Sequence, residues 1–350
     1  MSISVRPFGV LPDGGKAQLF TLSNDSGASV AISDFGGTIV SLCVPDRDGK
    51  LTDVVLGYDS VEGYYPNAGY LGAIIGRVGN RIGKGHAVIG GQEVALKQNS
   101  HGQHLHGGII GFDRKIWSST IDEAQNALML SYVSPDGEEN YPGTLNMRVI
   151  YTFSNDNTLT IRYMATTDKE TLCNLTNHTY FNLSGEGKGT IVDHEISIAA
   201  DHVTVVDAQL IPTGALRAVD STVFDLRKAT RVGQGLDNMQ SDEQLMFGGG
   251  YDNNFCLNGT GLRAVATLYS EATGIQMNTW TDLPGVQFYS GNSLAGVNKA
   301  KCGRIYSARD GLCLETQCYP DAVHHKHFPS IALSPGQQYD TTTQYQFLTV

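Results

Sequence analysis

The chain contains 350 residues, of which 41 are glycine, and only 17% are Asp, Glu, Lys or Arg. Both values depart from an average soluble protein, in which glycine makes up about 7% and charged residues about 25%. Because 41% of the residues are hydrophobic, the chain has enough apolar material for a core, which excludes a wholly disordered protein. The glycines follow no period of three, which excludes a collagen.

The charge of the chain argues against a nucleic-acid partner. Lys and Arg number 24 against 35 Asp and Glu, for a formal net charge of −11, and the sequence has no long basic run. A phosphate backbone attracts cationic surfaces and repels anionic ones. We therefore expect no nucleic-acid partner, although solubility alone also explains an acidic excess.

The N-terminal residues and the cysteines bear on the compartment. Residues 1–8, MSISVRPF, lack the pattern of a secretion signal, and no apolar run approaches the roughly 20 residues that span a bilayer. Six cysteines are scattered without a CxxC pair, which is typical of reduced thiols rather than of a disulfide framework. We therefore expect a cytoplasmic protein without a membrane partner.

Alternating and β-branched segments recur along the chain and predict strands. The clearest three cover residues 127–133, 146–153 and 158–165, and the turn-forming residues 154–157 predict a hairpin between the last two. Further strands are predicted at residues 195–198, 202–206, 263–269 and 274–280. No segment has apolar residues at helical spacing over four turns. We therefore expect one all-β domain over residues 1–350, built as stacked antiparallel sheets or a barrel.

The first of four segments that sheet-building does not explain is GRVGNRIGKG at residues 76–85. Its spacing is that of neither a phosphate loop nor a dinucleotide fingerprint. Asn80 and Arg81 place an amide beside a guanidinium, and both groups offer donors to hydroxyls or carboxylates. An ordinary basic turn explains the segment equally well.

The second segment, HGQHLHGG at residues 101–108, has three histidines within six residues. No carboxylate or thiolate is adjacent, and strand geometry would turn His104 and His106 to one face and His101 to the other. We therefore predict no metal here and expect hydrogen-bond donors to a ligand instead. The similar tract HHKH at residues 324–327 is predicted to be a solvated loop.

The third segment, NLTNHTYFNLSG at residues 174–185, alternates like a strand. Alternation would place Thr176, His178, Tyr180 and Asn182 on one polar and aromatic face. Neighbours of that kind fix the orientation and tautomer of an imidazole, as a general acid requires. A histidine satisfied within the core is the competing explanation for His178.

The fourth segment is GLCLETQCYPD at residues 311–321, where Glu315 interrupts an otherwise apolar strand. Burying an unpaired carboxylate is costly, and desolvation raises its pKa into the range of a useful base. A structural salt bridge is the alternative.

Two smaller pieces join these segments. Asp252 lies in the glycine-rich turn GYDNNF, and Gln287 lies in the strand-like LPGVQFYSGN. A carboxylate and an amide are residue types that bind the diols of sugars. Three aromatic residues either offer an apolar face to a sugar ring or pack in the core: Trp280, Phe288 and Tyr289.

Together, GRVGNRI (76–82), HLHGG (104–108), NHTYFNLSG (177–185), YDNNF (251–255), PGVQFYSGN (284–292) and CLETQ (313–317) resemble the galactose mutarotase (aldose 1-epimerase) family. The resemblance covers nearly the whole chain, and six motifs in the same order are far more specific than any one of them. Small departures are Gly79, where relatives often have Ala, and Tyr319, where Trp or Phe is common; they bear on sugar preference.

This resemblance implies a large antiparallel β-sandwich with an open sugar-binding cleft, no cofactor and no metal. It implies interconversion of the α and β anomers of free aldoses. We expect a monomer or homodimer that acts on a small-molecule aldose. By position, His178 would be the general acid and Glu315 the general base. The residues that match sugar-binding positions of the family are Asn80, Arg81, His106, Asp252 and Gln287.

Three other functions remain as alternatives. A hexose-6-phosphate 1-epimerase would need extra cations in the cleft, for which Arg77, Arg81 and Lys84 are the candidates. A glycosidase would need two catalytic carboxylates about 5–10 Å apart. A sugar-binding protein without catalysis would not need both His178 and Glu315.

Glycines flank the segments expected to contact the sugar. Without a side chain, such residues let backbone approach a small ligand closely. Together with the low charge, they predict a cleft for an uncharged polyol. The glycines concerned are Gly76, Gly79, Gly83, Gly107, Gly108, Gly185, Gly250 and Gly291.

Overall fold

The computed structural model describes residues 1–67, 69–294 and 299–350. Its first fourteen strands are β1 (Ser2–Val10), β2 (Lys16–Ser23), β3 (Ser29–Ser33), β4 (Ile39–Pro45), β5 (Leu51–Asp53), β6 (Ile74–Ile75), β7 (Arg81–Ile82), β8 (His86–Ile89), β9 (Gln92–Ala95), β10 (His104–Leu105), β11 (Ser118–Asp122), β12 (Ala127–Ser134), β13 (Leu145–Phe153) and β14 (Thr158–Thr167). The strands that follow are β15 (Thr171–Leu172), β16 (Thr176–Asn177), β17 (Glu195–Ile198), β18 (Ala200–Val206), β19 (Pro212–Ala218), β20 (Thr230–Arg231), β21 (Asp252–Leu257), β22 (Arg263–Ser270), β23 (Ile275–Thr281), β24 (Gly285–Tyr289), β25 (Cys313–Gln317), β26 (Ala332–Leu333) and β27 (Tyr339–Thr349).

Helices are few and short. The two α-helices of the described residues are α1 (Val232–Asp237) and α2 (Glu243–Gly248). Short 3₁₀ turns cover Val61–Tyr64, Gly83–Gly85, Phe112–Arg114, Glu138–Asn140, Met239–Ser241, Lys301–Gly303 and Ala322–His324. Within the described ranges, no helix combines the length and the apolar character needed to cross a membrane.

Three antiparallel sheets form most of the molecule. The first has the order β1-β2-β3-β4-β5, the second β11-β12-β13-β14-β27-β23-β22-β17-β20, and the third β19-β18-β21-β24-β25. One large core cluster takes buried side chains from all three, including Leu22, Val149 and Leu314. Because β2 packs on β12 and β13, and Thr316 of β25 bonds to Thr343 of β27, the nine-stranded sheet packs against both five-stranded sheets. This architecture is the predicted β-sandwich.

The predicted strands agree closely with the structure. The hairpin of β13 and β14 turns through residues 154–157, where the Asn157 amide donates to the Ser154 carbonyl. The other predicted strands correspond to β12, β17, β18, β22 and β23. Alternating side chains explain the agreement, since β13 and β14 bury every second residue. The single domain stays a prediction.

The predicted strand over residues 174–185 is largely wrong. Regular pairing is limited to β16, which pairs with β6, and isolated bridges join Asn174 to Val78 and Phe181 to both Val55 and Leu312. Side-chain oxygens of Asn177 and Asn182 accept hydrogen bonds from backbone amides two residues on, which replaces ladder pairing with local turns. The segment is buried on both sides, so it has no single polar face.

Candidate active site

A cleft of about 330 Å³ opens at one face of the third sheet. It gathers residues from loops and strands far apart in the chain, and these include six of the seven residues that the sequence predicts for the site. The lining consists of Gly69, Tyr70, Asn80, Arg81, Leu105, His106, His178, Tyr180, Leu210, Phe247, Gly248, Asp252, Tyr289, Ser293 and Glu315.

The register of the third sheet brings its polar side chains to this cleft. Asp252 pairs with Tyr289, and Tyr289 pairs with Cys313. Two residues further along these strands, Gln287 of β24 pairs with Glu315 of β25. Directly paired residues of antiparallel strands point to the same side, and residues two apart on a strand share that side. These five side chains therefore lie on one face of the sheet.

His178 and Glu315 meet at the bottom of the cleft. The pairing of β16 with β6, and the bridge from Phe181 to Leu312, hold the backbone of His178 beside β25. His178 Nε2 lies 3.7 Å from Glu315 Oε1, and both side chains are buried. Glu315 Oε2 has no hydrogen-bond partner among the described residues, although it is buried. An unpartnered carboxyl oxygen of this kind is costly and points to a role beyond folding.

Burial drives the pKa values of these two groups in opposite directions. It raises the pKa of Glu315 well above its usual range, with the negative charge of Asp252 adding to the effect and Arg81 opposing it. Burial lowers the pKa of His178 to about 4. Between pH about 4 and the raised pKa of Glu315, the two groups together hold one proton. We therefore treat them as a single acid–base pair.

His106 is fixed as a hydrogen-bond donor to the cleft. Its Nδ1 accepts from the backbone amide of Asn80 at 3.1 Å, and its own amide donates to the Asn80 carbonyl. Desolvation, with His178 and Arg81 nearby, lowers the pKa of His106 well below its usual range, so the ring is neutral. Since Nδ1 is an acceptor, the single ring proton lies on Nε2.

This tautomer makes the cleft a poor metal site. His106, His178 and Glu315 each offer a ligand atom, and these atoms lie within 4.8 Å of one another. A metal takes a lone pair from an imidazole nitrogen, but His106 uses the Nδ1 lone pair to accept the Asn80 amide and carries a proton on Nε2. The donor set therefore does not fit a metal bound by all three residues.

Arg81, Asp252 and Gln287 form a connected polar group at the cleft. Arg81 Nη2 lies 3.7 Å from Asp252 Oδ2, and Gln287 Nε2 donates to Asp252 Oδ1 at 2.7 Å. Gln317 Nε2 in turn reaches Gln287 Oε1 at 3.3 Å. Gln287 is not among the lining residues, so of the seven predicted residues it is the one that lies behind the cleft, where it holds Asp252.

Three tyrosines complete the walls. The Tyr180 ring lies 5.0 Å from the His178 ring, and Tyr289 lies 6.2 Å from it. Tyr70, which sequence reasoning missed, lies 4.7 Å from His106 and 5.9 Å from His178. Its positive φ of 55° is uncommon for a bulky residue, but such a backbone angle leaves no signal in the sequence.

The other two predicted aromatic residues do not reach the cleft. Phe288 is fully buried in the main core, where its ring stacks on Tyr251. Trp280 is half-buried in β23 of the nine-stranded sheet. The interpretation of these two residues as a sugar platform is therefore wrong, and core or sheet packing explains them.

The three cationic residues that could bind the phosphate of a hexose 6-phosphate, Arg77, Arg81 and Lys84, are not free to do so in the cleft. All five hydrogen bonds of the buried Arg77 guanidinium go to Ser134, Pro135, Pro142 and Thr171. Lys84 is exposed and does not line the cleft. Arg81 alone remains, and it already faces Asp252. The hexose-6-phosphate alternative therefore lacks its binding site.

The remaining histidines of the two tracts have structural surroundings. His104 is buried and bonds to the Lys97 carbonyl and the Tyr141 hydroxyl, whereas His101 is exposed. In the 324–327 tract, His324 bonds to Asp321 at 2.7 Å, and the neighbouring rings bond to backbone carbonyls. The tract is thus a surface loop, as predicted, and its histidine rings are held by hydrogen bonds to neighbouring segments.

The predicted role of the glycines is also wrong. None of the eight glycines singled out lines the cleft. The close approaches are between segments of the protein itself: a Cβ on Gly107 would lie 1.8 Å from the Gly76 carbonyl oxygen, and one on Gly291 would lie 2.2 Å from that of Gly311. These glycines therefore let the loops around the cleft pack against each other.

A larger groove of about 620 Å³ lies elsewhere, on the nine-stranded sheet around β12–β14. Among the residues that line this groove, Arg148 is the one charged residue, and the others include Val133, Met147 and Met164. With Arg148 as its one charged residue, it has no pairing of a carboxyl group with an imidazole. Size alone therefore does not identify the functional site, whereas the chemistry of the smaller cleft does.

The chain is similar to known proteins over nearly its whole length. Residues 18–346 match the family model described as aldose 1-epimerase. The chain is 44% identical to galactose mutarotase of Bos taurus over 349 residues, which is 99% of both chains. It is 36% identical to aldose 1-epimerase of Escherichia coli strain K12 over 341 residues, which is 96% of this chain and 97% of the relative.

Solved structures are similar over the same extent. An aldose epimerase homologue from C. elegans superposes with a TM-score of 0.87 at 30% identity, covering 95% of this chain and 99% of that one. Galactose 1-epimerase from Lactobacillus acidophilus gives 0.86 at 29% identity, covering 99% of each chain. The chain therefore belongs to the aldose 1-epimerase family of carbohydrate isomerases.

Proposed function

We propose that the protein interconverts the α and β anomers of free hexoses such as galactose and glucose, with Glu315 as general base and His178 as general acid. The approach of His178 Nε2 to Glu315 Oε1 at the bottom of the cleft carries this proposal. The relatives named galactose mutarotase support galactose as a substrate.

The reaction needs one proton removed and one added at neighbouring oxygens. Glu315 takes the proton of the anomeric hydroxyl, the bond from C1 to the ring oxygen breaks, and His178 protonates the ring oxygen. The aldehyde then turns about C1–C2, and the reverse transfers close the ring on its other face. The pair ends with the proton inventory it began with, so the cycle needs no cofactor, and each well-placed transfer is worth about 10²–10⁴-fold.

The resting proton of the pair suits this cycle. In the empty cleft the raised pKa of Glu315 and the lowered pKa of His178 place the single proton on the carboxyl group. Moving it to His178 creates the base and the acid together without changing the net charge of the cleft. Hydrogen bonds from sugar hydroxyls to Glu315 stabilise its ionised form and favour that transfer.

The remaining polar residues hold the sugar while it is open. His106 donates from Nε2, Asn80 and Arg81 present their side chains to the cleft, and Asp252 accepts from hydroxyls. Gln287 acts through Asp252, whose carboxylate it orients. Because Asp252 is held by Gln287 and faces Arg81, it is suited to binding rather than to proton donation, which disfavours a two-carboxylate glycosidase.

The proposed compartment and oligomeric state follow the same reasoning. We place it in the cytoplasm, as a monomer or homodimer acting on a small sugar. The cysteines of the described residues are free thiols, as expected in a reducing compartment. Gel filtration with light scattering distinguishes monomer from dimer.

Polarimetry of freshly dissolved α-glucose or α-galactose tests the proposal. We expect first-order acceleration toward the equilibrium rotation, and a loss of about 10²–10⁴-fold in kcat for both Glu315→Gln and His178→Asn. Circular dichroism checks that both variants fold. If wild-type protein binds sugar by calorimetry yet leaves the rate at that of buffer, the protein is a binding module. Wild-type rates in either variant would overturn its role.

A further inference from the structure

One face of β25 contacts both ring nitrogens of His178. Cys313 and Glu315 are two residues apart on this strand, so they share a face. Glu315 Oε1 lies 3.7 Å from Nε2, and Cys313 Sγ lies 3.4 Å from Nδ1. Cys313 is fully buried, and among the described residues its thiol is the side chain in hydrogen-bond contact with Nδ1. The imidazole is therefore held between a thiol and a carboxyl group of one strand.

The thiol has a defined protonation state at this position. Burial, together with the negative charges of Glu315 and Asp252, raises the pKa of Cys313 well above its usual range. The sulfur therefore keeps its proton, stays uncharged and can accept a hydrogen bond through a lone pair. The backbone carbonyl of His178, which also lies near the ring, accepts the Gly72 amide. When Sγ accepts from Nδ1–H, neutral His178 carries its proton on Nδ1 and turns the Nε2 lone pair toward Glu315, whose proton it can take.

We propose that Cys313 is a positioning residue for His178: its sulfur accepts a hydrogen bond from Nδ1–H, fixes the Nδ1–H tautomer and turns the Nε2 lone pair toward Glu315 and the sugar. The inference rests on the proposed function, because it assigns a partner to the general acid of that reaction. Cys313 itself does not touch the reacting atoms.

A thiol suits this task better than a carboxylate does. Sulfur is a weak hydrogen-bond acceptor, so it accepts from Nδ1–H both when His178 is neutral and once the ring is protonated. It adds no charge, whereas a carboxylate would stabilise the imidazolium and make it a weaker acid. Cys313 thus orients the ring in both protonation states while leaving its proton easy to transfer.

Other titratable groups also pack around His178, and the test must separate their effects from that of Cys313. Glu315 faces Nε2, and four rings pack on the imidazole. These rings are His106, Tyr70, Tyr180 and Tyr289. Comparing the tautomer of wild-type and Cys313→Ala protein at one pH keeps these groups the same, so a change in which nitrogen carries the proton reports on Cys313.

The experiment compares Cys313→Ala with Cys173→Ala and Cys313→Ser. Cys173 is an equally buried free thiol in the main core, so its variant reports the cost of an emptied methyl-sized space alone. We expect Cys313→Ala to lower kcat about tenfold with KM within about twofold, as expected for the loss of one orienting hydrogen bond. We expect wild-type kinetics in Cys173→Ala and partial recovery in Cys313→Ser.

Nitrogen-15 NMR of the histidine side chains provides the readout that a purely structural role would not move. The signal that disappears in His178→Asn identifies His178. We expect this signal to show a protonated Nδ1 and an unprotonated Nε2 in wild-type protein, and a mixture of tautomers in Cys313→Ala. Unchanged tautomer and unchanged kcat in folded Cys313→Ala would overturn the inference, as would an unprotonated Nδ1 in the neutral wild-type ring. Full activity in His178→Asn would instead remove the proposed function.

Discussion

The two faces of the third sheet differ sharply although they belong to the same strands. The face toward the cleft carries Asp252, Gln287 and Glu315, whereas the opposite face contributes Phe255, Phe288 and Leu314 to the main core. Neighbouring residues on β24 and β25 thus enter entirely different environments. The period of two along a strand makes this division possible, since it turns adjacent side chains to opposite sides.

The difference shows how a buried polar site is tolerated in a sheet. On the core face, packing alone satisfies the side chains, and each buried large apolar residue contributes about 1.5–3 kcal/mol. On the cleft face, cross-strand bonds satisfy much of the polar surface, as in the chain from Gln317 through Gln287 to Asp252. Glu315 Oε2 is left without such a bond. Asn254 and Gln317 on this face also have an unpartnered atom, and the proposed base is the ionisable group among the three.

Emptying the core face should have the largest effect on stability. We expect Phe288→Ala to lower the free energy of unfolding by about 3–5 kcal/mol, because Phe288 is fully buried against Tyr251. Its kcat per folded molecule should stay close to that of wild type. Urea unfolding measures the first quantity and polarimetry the second.

The matched variant on the cleft face is Glu315→Gln, which should not lower the free energy of unfolding at pH 7. Because the folded-state pKa of Glu315 is raised, its carboxyl group favours the folded state at low pH, and this contribution is lost as pH rises through the raised pKa. Gln cannot ionise, so the substitution does not lower the free energy of unfolding at neutral pH. If Glu315→Gln unfolded as readily as Phe288→Ala, the two faces would not differ in the way described.

Neutralising Asp252 should have an intermediate effect. We expect Asp252→Asn to lower kcat/KM about 10- to 100-fold, because a charged acceptor bonded to Gln287 and facing Arg81 is replaced by a neutral amide. Asp340→Asn is the control: Asp340 pairs with Arg162 at the surface, and its replacement should leave kinetics unchanged. Equal effects of the two substitutions on kcat/KM would contradict a binding role for Asp252.

The smallest and most gradual effect is expected from pH. The pair of His178 and Glu315 is active with one proton, so kcat should fall about tenfold per unit below pH about 4, where His178 also becomes protonated. It should fall again at high pH, above the raised pKa of Glu315, when neither group holds a proton. Circular dichroism at each pH separates titration from unfolding. A rate independent of pH between 3 and 5 in folded protein would contradict the one-proton pair.

Sequence reasoning was most accurate where the evidence was local. The hairpin of β13 and β14 follows from alternation and a turn cluster, and both are properties of adjacent residues. The strand expected over residues 174–185 failed because Asn177 and Asn182 bond to local backbone and both sides of the segment are buried. Alternation carries no information on either point.

Alternation along the chain predicts the β class, and the ordered motifs predict six of the residues that line the cleft. Neither predicts that backbone and hydroxyl groups take up the hydrogen bonds of Arg77, that Gln287 lies behind Asp252, or that Tyr70 joins the wall. These features depend on contacts between residues distant in the chain. Alternation and turn chemistry act between near neighbours, whereas a cleft is made by sheet register and loop packing between residues hundreds of positions apart, such as His178 and Glu315.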